Sequence, residues 1–158
     1  MTQSSHFDAA GASRMVDVGD KPTTVRRARA SGRVRMAADT LQMVKAGRAA
    51  KGDVLEVARL AGILAAKRTG ELIPLCHVLP LEAVSLSFRF PDSTRIEIEA
   101  EARATARTGV EMEALVAVSM AALTIYDMCK AVDRAMTIEA VQLEEKSGGQ
   151  SGHFVRQP

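Results

Sequence analysis

The chain has 158 residues, of which 47% are apolar and 25% charged, with 21 Lys plus Arg against 19 Asp plus Glu for a net charge of +2. That length fits one ordinary domain with its own core, and the balance excludes a largely disordered chain. No run approaches the ~20 apolar residues of a membrane span, and only 3% of residues are aromatic, so the core must be built from Ala, Val, Leu, Ile and Met.

Residues 1–15, rich in Ser, Ala and Gly, read as a flexible tail with neither a basic n-region nor an apolar h-region. Thr24 to Met36 alternates with period two, which predicts a half-buried strand whose outer face carries Arg27, Arg29, Arg33 and Arg35. Arg26 breaks the pattern by falling on the apolar side. Asp39 opens a short helix that stops at Gly47. A second helix is predicted from about Asp53 to Arg68, with Val54, Val57, Leu60, Ala61, Leu64 and Ala65 facing inward. Leu72 to Pro80 is a loop punctuated by Pro74 and Pro80.

Two alternating strands, Glu82 to Phe90 and Arg95 to Ala104, flank a Pro91–Thr94 turn and form a hairpin. A long helix follows from Gly109 to about Val132, its start matching a capping box of Thr108 with Glu111. A last strand spans about Met136 to Glu144, and residues 147–158 have the composition of a flexible loop. The order predicts a single α+β catalytic domain over 16–146, ferredoxin-like, with an antiparallel four-stranded sheet and helices packed on one face. There is no internal repeat.

Several polar residues stand where packing alone would not demand them. Lys51 precedes a helix N-terminus, where the macrodipole disfavours a cation; it is either a solvated loop lysine or a proton-transfer group. Cys76 and His77 lie in the proline-bounded loop, and neighbouring side chains rarely converge on one atom. A structural Cys beside a hydrogen-bonding or substrate-binding His is the better reading. Glu113 has no structural duty in the cap. Asp127 and Lys130, three apart on one helix face, are either a surface ion pair or mutually tuned groups. Lys146-Ser147-Gly148-Gly149 could cradle phosphate or be plain tail. Two Cys and three His are too few for a disulfide framework and argue against a zinc site, which points to a cytoplasmic protein. The basic strand raises RNA binding as a rival, weakened by the near absence of stacking aromatics.

Seven words occur in order: Met15-Val16-Asp17-Val18, Lys51-Gly52-Asp53-Val54, Ala65-Ala66-Lys67-Arg68-Thr69, LIPLCH at 72–77, TGVEMEAL at 108–115, ALTIYDMCKAV at 122–132 and KSGG at 146–149. As an ordered set over residues 8 to 152 they resemble the molybdenum cofactor biosynthesis protein C family. The chain departs from that family in three places: Ala49-Ala50 and Val78, where relatives often carry His and Pro, and Gln150, where they often carry Lys.

The resemblance implies a ferredoxin-like enzyme, a phosphorus–oxygen lyase that makes cyclic pyranopterin monophosphate from a cyclised dihydroguanosine triphosphate and releases diphosphate. A radical guanosine triphosphate cyclase would supply that substrate. The assembly implied is a homohexamer, a trimer of dimers with the site at the dimer interface, with no membrane or nucleic-acid partner. By position Asp127, Lys51 and Lys130 are the catalytic residues. Leu75, Cys76, His77, Met112 and Glu113 bind substrate, and Arg26, Lys67 and Lys146 meet the triphosphate. No metal ligand or cofactor is required, although magnesium could accompany the triphosphate.

Overall fold

The computed structural model describes residues 6–157. The strands are β1 (Thr24–Arg35), β2 (Ala83–Arg89), β3 (Arg95–Ala106), β4 (Thr137–Ser147) and β5 (Phe154–Val155); the helices are α1 (Ala38–Lys45), α2 (Val54–Ala66), α3 (Thr69–Leu72) and α4 (Glu111–Cys129). All paired strands are antiparallel, in the order β2-β3-β1-β4-β5. This is the expected α+β sheet, with one strand more than the four expected. The last long strand runs on past Glu144 to Ser147, and Phe154–Val155 folds back to pair with Glu145–Lys146. The Arg156 guanidinium donates to the Leu143 carbonyl at 2.7 Å and holds that return in place. The sequence hides this strand because two residues are too few for a period.

Small side chains set the spacing of the layers. In the β1–β3 register Ala28 faces Ala102 and Ala30 faces Ala100. Those four, together with Ala114, Ala117, Ala121 and Ala122 of α4, are fully buried. Alanine adds no rotamer entropy to the cost of folding and lets a helix lie close on a sheet. Gly32 belongs to the same surface, since a Cβ there would stand 2.6 Å from Val118 Cγ1. α4 is long and apolar enough by composition to cross a membrane, but half of that stretch is buried inside this domain.

α2 packs on α4 through Ala58, Gly62, Ala65 and Ala66. Val54 and Ala65 of the face expected from sequence are buried, but Val57, Leu60 and Leu64 are 44%, 57% and 47% exposed, which corrects the rest of it. Beyond Val54 the buried positions are the small ones. Asp53 caps α2 as its position suggests, accepting from Leu55 N and Glu56 N at 3.0 Å each. The helix stops at Ala66, two residues short of the expected end, and Thr69 starts the separate turn α3.

The capping box at α4 does not form. Val110 is the N-cap and makes no side-chain cap bond. Thr108 lies two residues too early, and the Glu111 carboxylate folds back over Gly109 instead.

The outer face of the sheet is a ladder of opposite charges. Arg27 pairs with Glu101, Arg29 with Glu99 and Glu145, Arg33 with Glu97, and Arg35 with Glu139. The arginines that raised an RNA reading are thus matched by the acidic outer positions of β3 and β4.

Substituting Gly62 by Val tests the close α2–α4 contact. The new Cβ would meet Leu86 Cδ2 at 2.6 Å and the backbone oxygen of Ala117 at 2.9 Å. The variant should lose about 1–3 kcal/mol in urea unfolding. An unchanged midpoint would mean that α2 can move away freely.

Candidate active site

Two groups of polar residues gather at opposite ends of α4. At its C-terminal end, Lys51 Nζ donates to Asp127 Oδ2 at 3.0 Å and to the Asp127 carbonyl at 3.1 Å. Lys130 Nζ donates to Asp127 Oδ1 at 2.6 Å. Asp127 and Lys130 meet because they are three apart on the last turns of α4; Lys51 arrives from the turn that precedes the Asp53 cap. Hydrogen bonds from Lys130, then from Lys51, hold the Asp127 carboxyl down at about 2. It is therefore a carboxylate throughout the neutral range, gripped by two ammonium groups.

The side chains of Lys51, Asp127 and Lys130 are 50%, 55% and 52% exposed. Ion pairs so open to water contribute little to stability. Packing does not explain the cluster.

At the N-terminal end of α4 lies a cavity of about 370 Å³. The Leu75–His77 loop forms one wall, and Met112 and Glu113 from the first turn of α4 form another. Glu113 is 4% exposed. Burial raises its carboxyl to about 7, with a smaller push from Glu111, so it exchanges a proton near neutrality. Burial also raises the Cys76 thiol, and the Glu113 charge raises it further. A thiol pushed in that direction is a poor nucleophile, which fits a contact role for Cys76.

A second cavity of about 310 Å³ adjoins the first, sharing Lys21, Thr108, Gly109 and Glu111 with it. Here Lys21, Arg26 and Arg107 bring three cations to one wall. Arg26 is 7% exposed and, among the described residues, pairs with no carboxylate. Its guanidinium donates to the carbonyls of Ala106 and Arg107 at 3.2 Å each and of Gly148 at 3.3 Å. These bonds satisfy donors but leave the charge uncompensated, which suits an anionic ligand. The glycines of the KSGG word make room for this: both have positive φ, and a Cβ on Gly149 would collide with the Arg26 guanidinium. Lys146 stands beside this cavity, 3.8 Å from the Glu111 carboxylate.

Leu75, Cys76, His77, Met112 and Glu113 therefore line one cavity from two walls; Arg26 lines the adjoining one, and Lys146 reaches it only through its lining residue Glu111. Lys67, at the C-cap of α2, borders neither of the two but lines a further cavity of about 430 Å³ beside Leu79 and a small cleft that also includes Glu113. Lys51, Asp127 and Lys130 also border neither cavity. Sequence reading missed His6, Val16, Val18, Lys21 and Arg107 as lining residues. Val16 and Val18 belong to a quoted word, but His6 lies in a segment without any period. The Nδ1 of His6 is buried with no partner among the described residues. Among those residues no three His, Cys, Asp or Glu side chains gather into a metal-sized group.

The sign of the Glu113 shift sets a pH dependence. An acid whose pKa is raised by folding binds more protons in the native state, so its burial costs stability as pH rises from its ordinary 4.5 through about 7. Glu113→Gln should therefore gain on the wild type over that range in denaturant titrations, and the advantage should level off above pH 8. Parallel stability curves from pH 4 to 8 would show that Glu113 ionises normally.

The model of the MoaC family matches residues 15–149. A protein of Mycobacterium tuberculosis named cyclic pyranopterin monophosphate synthase 3 is 61% identical over 152 residues, covering 96% of this chain and 86% of its own length. Proteins named cyclic pyranopterin monophosphate synthase from Thermomicrobium roseum and Chloroflexus aggregans are each 60% identical. They cover 99% and 98% of this chain, and 95% and 94% of their own lengths. With the family's words in order along its helices and loops, this chain belongs to the MoaC family.

Proposed function

We propose that this protein is a cyclic pyranopterin monophosphate synthase, a phosphorus–oxygen lyase of molybdenum cofactor biosynthesis. The observation that carries the reading from geometry is the pair of adjoining cavities along Thr108–Glu111. One offers loop contacts and the buried Glu113 for a heterocycle; the other offers Lys21, Arg26 and Arg107 for phosphates. Such a shape takes a nucleotide lengthwise. The reading requires no metal held by the protein; any magnesium would come with the triphosphate.

The rearrangement opens and recloses rings, so protons must move at several steps. Lys51 and Lys130 supply and recover them, while ionised Asp127 keeps both ammonium groups aimed at one point. The cations of the second cavity hold the phosphate chain as the cyclic phosphate closes and diphosphate leaves. Incubating the purified protein with the cyclised guanosine triphosphate should release diphosphate; absence of release would refute the proposal.

The two ends of α4 must then work on one substrate. Glu113 and Asp127 are fourteen residues apart, about 21 Å along a helix at ~1.5 Å per residue. A single nucleotide does not comfortably span that distance within one chain. We infer that a two-fold dimer places the start of α4 in one copy near the end of α4 in its mate, making two equal sites. The exposed Val57, Leu60 and Leu64 of α2 support an interface between copies. Three such dimers would complete the hexamer.

Lys51→Ala and Lys130→Ala should each abolish turnover while melting like the wild type, because both side chains are half exposed. Normal activity in either variant would remove that lysine from the mechanism. Mixing inactive Glu113→Ala with inactive Asp127→Ala should restore part of the activity after subunit exchange. A mixture that exchanges but stays dead would leave each site within a single chain.

A further inference from the structure

α1 starts without a cap of its own. Ala37 has the extended backbone of an N-cap, φ −63° and ψ 148°, but no side chain that can accept a hydrogen bond. The carboxylate of Asp133, from the turn after α4, instead grips this helix start from outside. Its Oδ2 accepts from the backbone N–H of Ala37 at 2.8 Å and from Thr40 Oγ1 at 3.3 Å. Its Oδ1 accepts from Ala135 N at 3.0 Å. Both oxygens are engaged, across segments more than ninety residues apart in sequence.

Asp133 is in turn an extension of the last turn of α4. The Cys129 carbonyl accepts from Val132 N at 3.0 Å and from Asp133 N at 3.1 Å, and Lys130 N donates to the Tyr126 carbonyl at 2.8 Å. Beyond α1 the chain reaches Lys51 through bonded turns: Gly47 N to the Val44 carbonyl, Arg48 N to Met43, and Gly52 N to Ala49. Lys51 Nζ then returns to Asp127. Residues 37–51 are thus fastened at one end to Asp133, in the turn after α4, and at the other to Asp127, in its last turn. One fastening is the long, exposed lysine side chain, which loses rotamer freedom when it pairs. The other is the short Asp133 carboxylate, whose charged bonds to N–H groups are stronger than neutral ones.

We propose that Asp133 is a positioning residue for the Lys51–Asp127–Lys130 cluster, a tether that fixes the backbone delivering Lys51 to Asp127; the proposal rests on the catalytic reading of that cluster. The plainer role for Asp133 is to anchor the start of α1 for stability alone. The two roles separate in the pair Asp133→Ala and Asp133→Ala with Ala37→Ser. The hydroxyl introduced by Ala37→Ser would cap α1 from within but cannot reach back to Ala135 and the end of α4.

The tether predicts that Ala37→Ser restores the melting temperature lost in Asp133→Ala but not the turnover. kcat should stay about ten- to a hundredfold low with KM within about twofold of wild type. The Asp127 carboxyl, followed by carbon NMR, should titrate above its native position of about 2, since Lys51 no longer holds it. Recovery of kcat together with the melting temperature, or an unmoved Asp127 titration, would overturn the proposal. Asp127→Asn is assayed alongside. Full turnover there would refute the catalytic reading itself, whereas a dead Asp127→Asn beside a fully active double variant would refute the tether alone.

Discussion

Everything at the two ends of α4 depends on how closely its middle lies on the sheet. Alanines are fully buried on both sides, Ala28, Ala30, Ala100 and Ala102 in the sheet and Ala114, Ala117, Ala121 and Ala122 in the helix, and Val118 of the helix leaves no room for a side chain at Gly32. Such a contact has little rotamer freedom and little space to adjust, so the helix is held in register as a rigid rod. α2 joins the same rod through another small-residue stripe. The functional groups stand where the close packing ends, at the first and last turns of α4.

The two ends use carboxylates in opposite ways. Glu113 is enclosed, so desolvation favours its neutral form and lifts it to about 7. Asp127 stands in water between two ammonium groups, and their hydrogen bonds pull it to about 2. At neutral pH the first can exchange a proton and the second keeps its charge. A single helix thereby carries a titrating acid at one end and a permanent anion at the other, with identity set by surroundings rather than residue type. On the proposed function, proton transfer at the Asp127 end would then fall to Lys51 and Lys130, with the aspartate orienting them.

Much of this was legible in the sequence, where period-two strands and loop punctuation were strong. β1, the β2–β3 hairpin and the antiparallel sheet follow from alternation, and Arg26 stood out because it violated that alternation. The errors share a physical cause. Periodicity of large apolar residues places Val54 and Ala65 of α2 correctly but turns Val57, Leu60 and Leu64 inward, while the buried positions are otherwise the small Ala58, Gly62 and Ala66. The α4 cap was misplaced because a Ser/Thr–Glu spacing says nothing of the backbone angles at Thr108. Lys21 and Arg107 escape a sequence reading because the cavity they line is assembled from segments distant in the chain, and Asp133 because it meets Ala37, 96 residues away. Glycines 148 and 149 did carry a signal, but its meaning lay in the guanidinium beneath them.

The surfaces left over divide along the same lines. On the outer face of the sheet, arginines and glutamates alternate between neighbouring strands and neutralise one another, so the face needs no ligand to balance it. On the helical side, α2 presents Val57, Leu60 and Leu64 to water because its small residues are spent on α4. Turning the large residues inward would lift α2 away from α4 and loosen the rod that spaces Glu113 from Asp127. The exposed stripe is therefore the consequence of the close internal contact. A second copy that covered it would recover the apolar burial the monomer forgoes while bringing another α4 within reach.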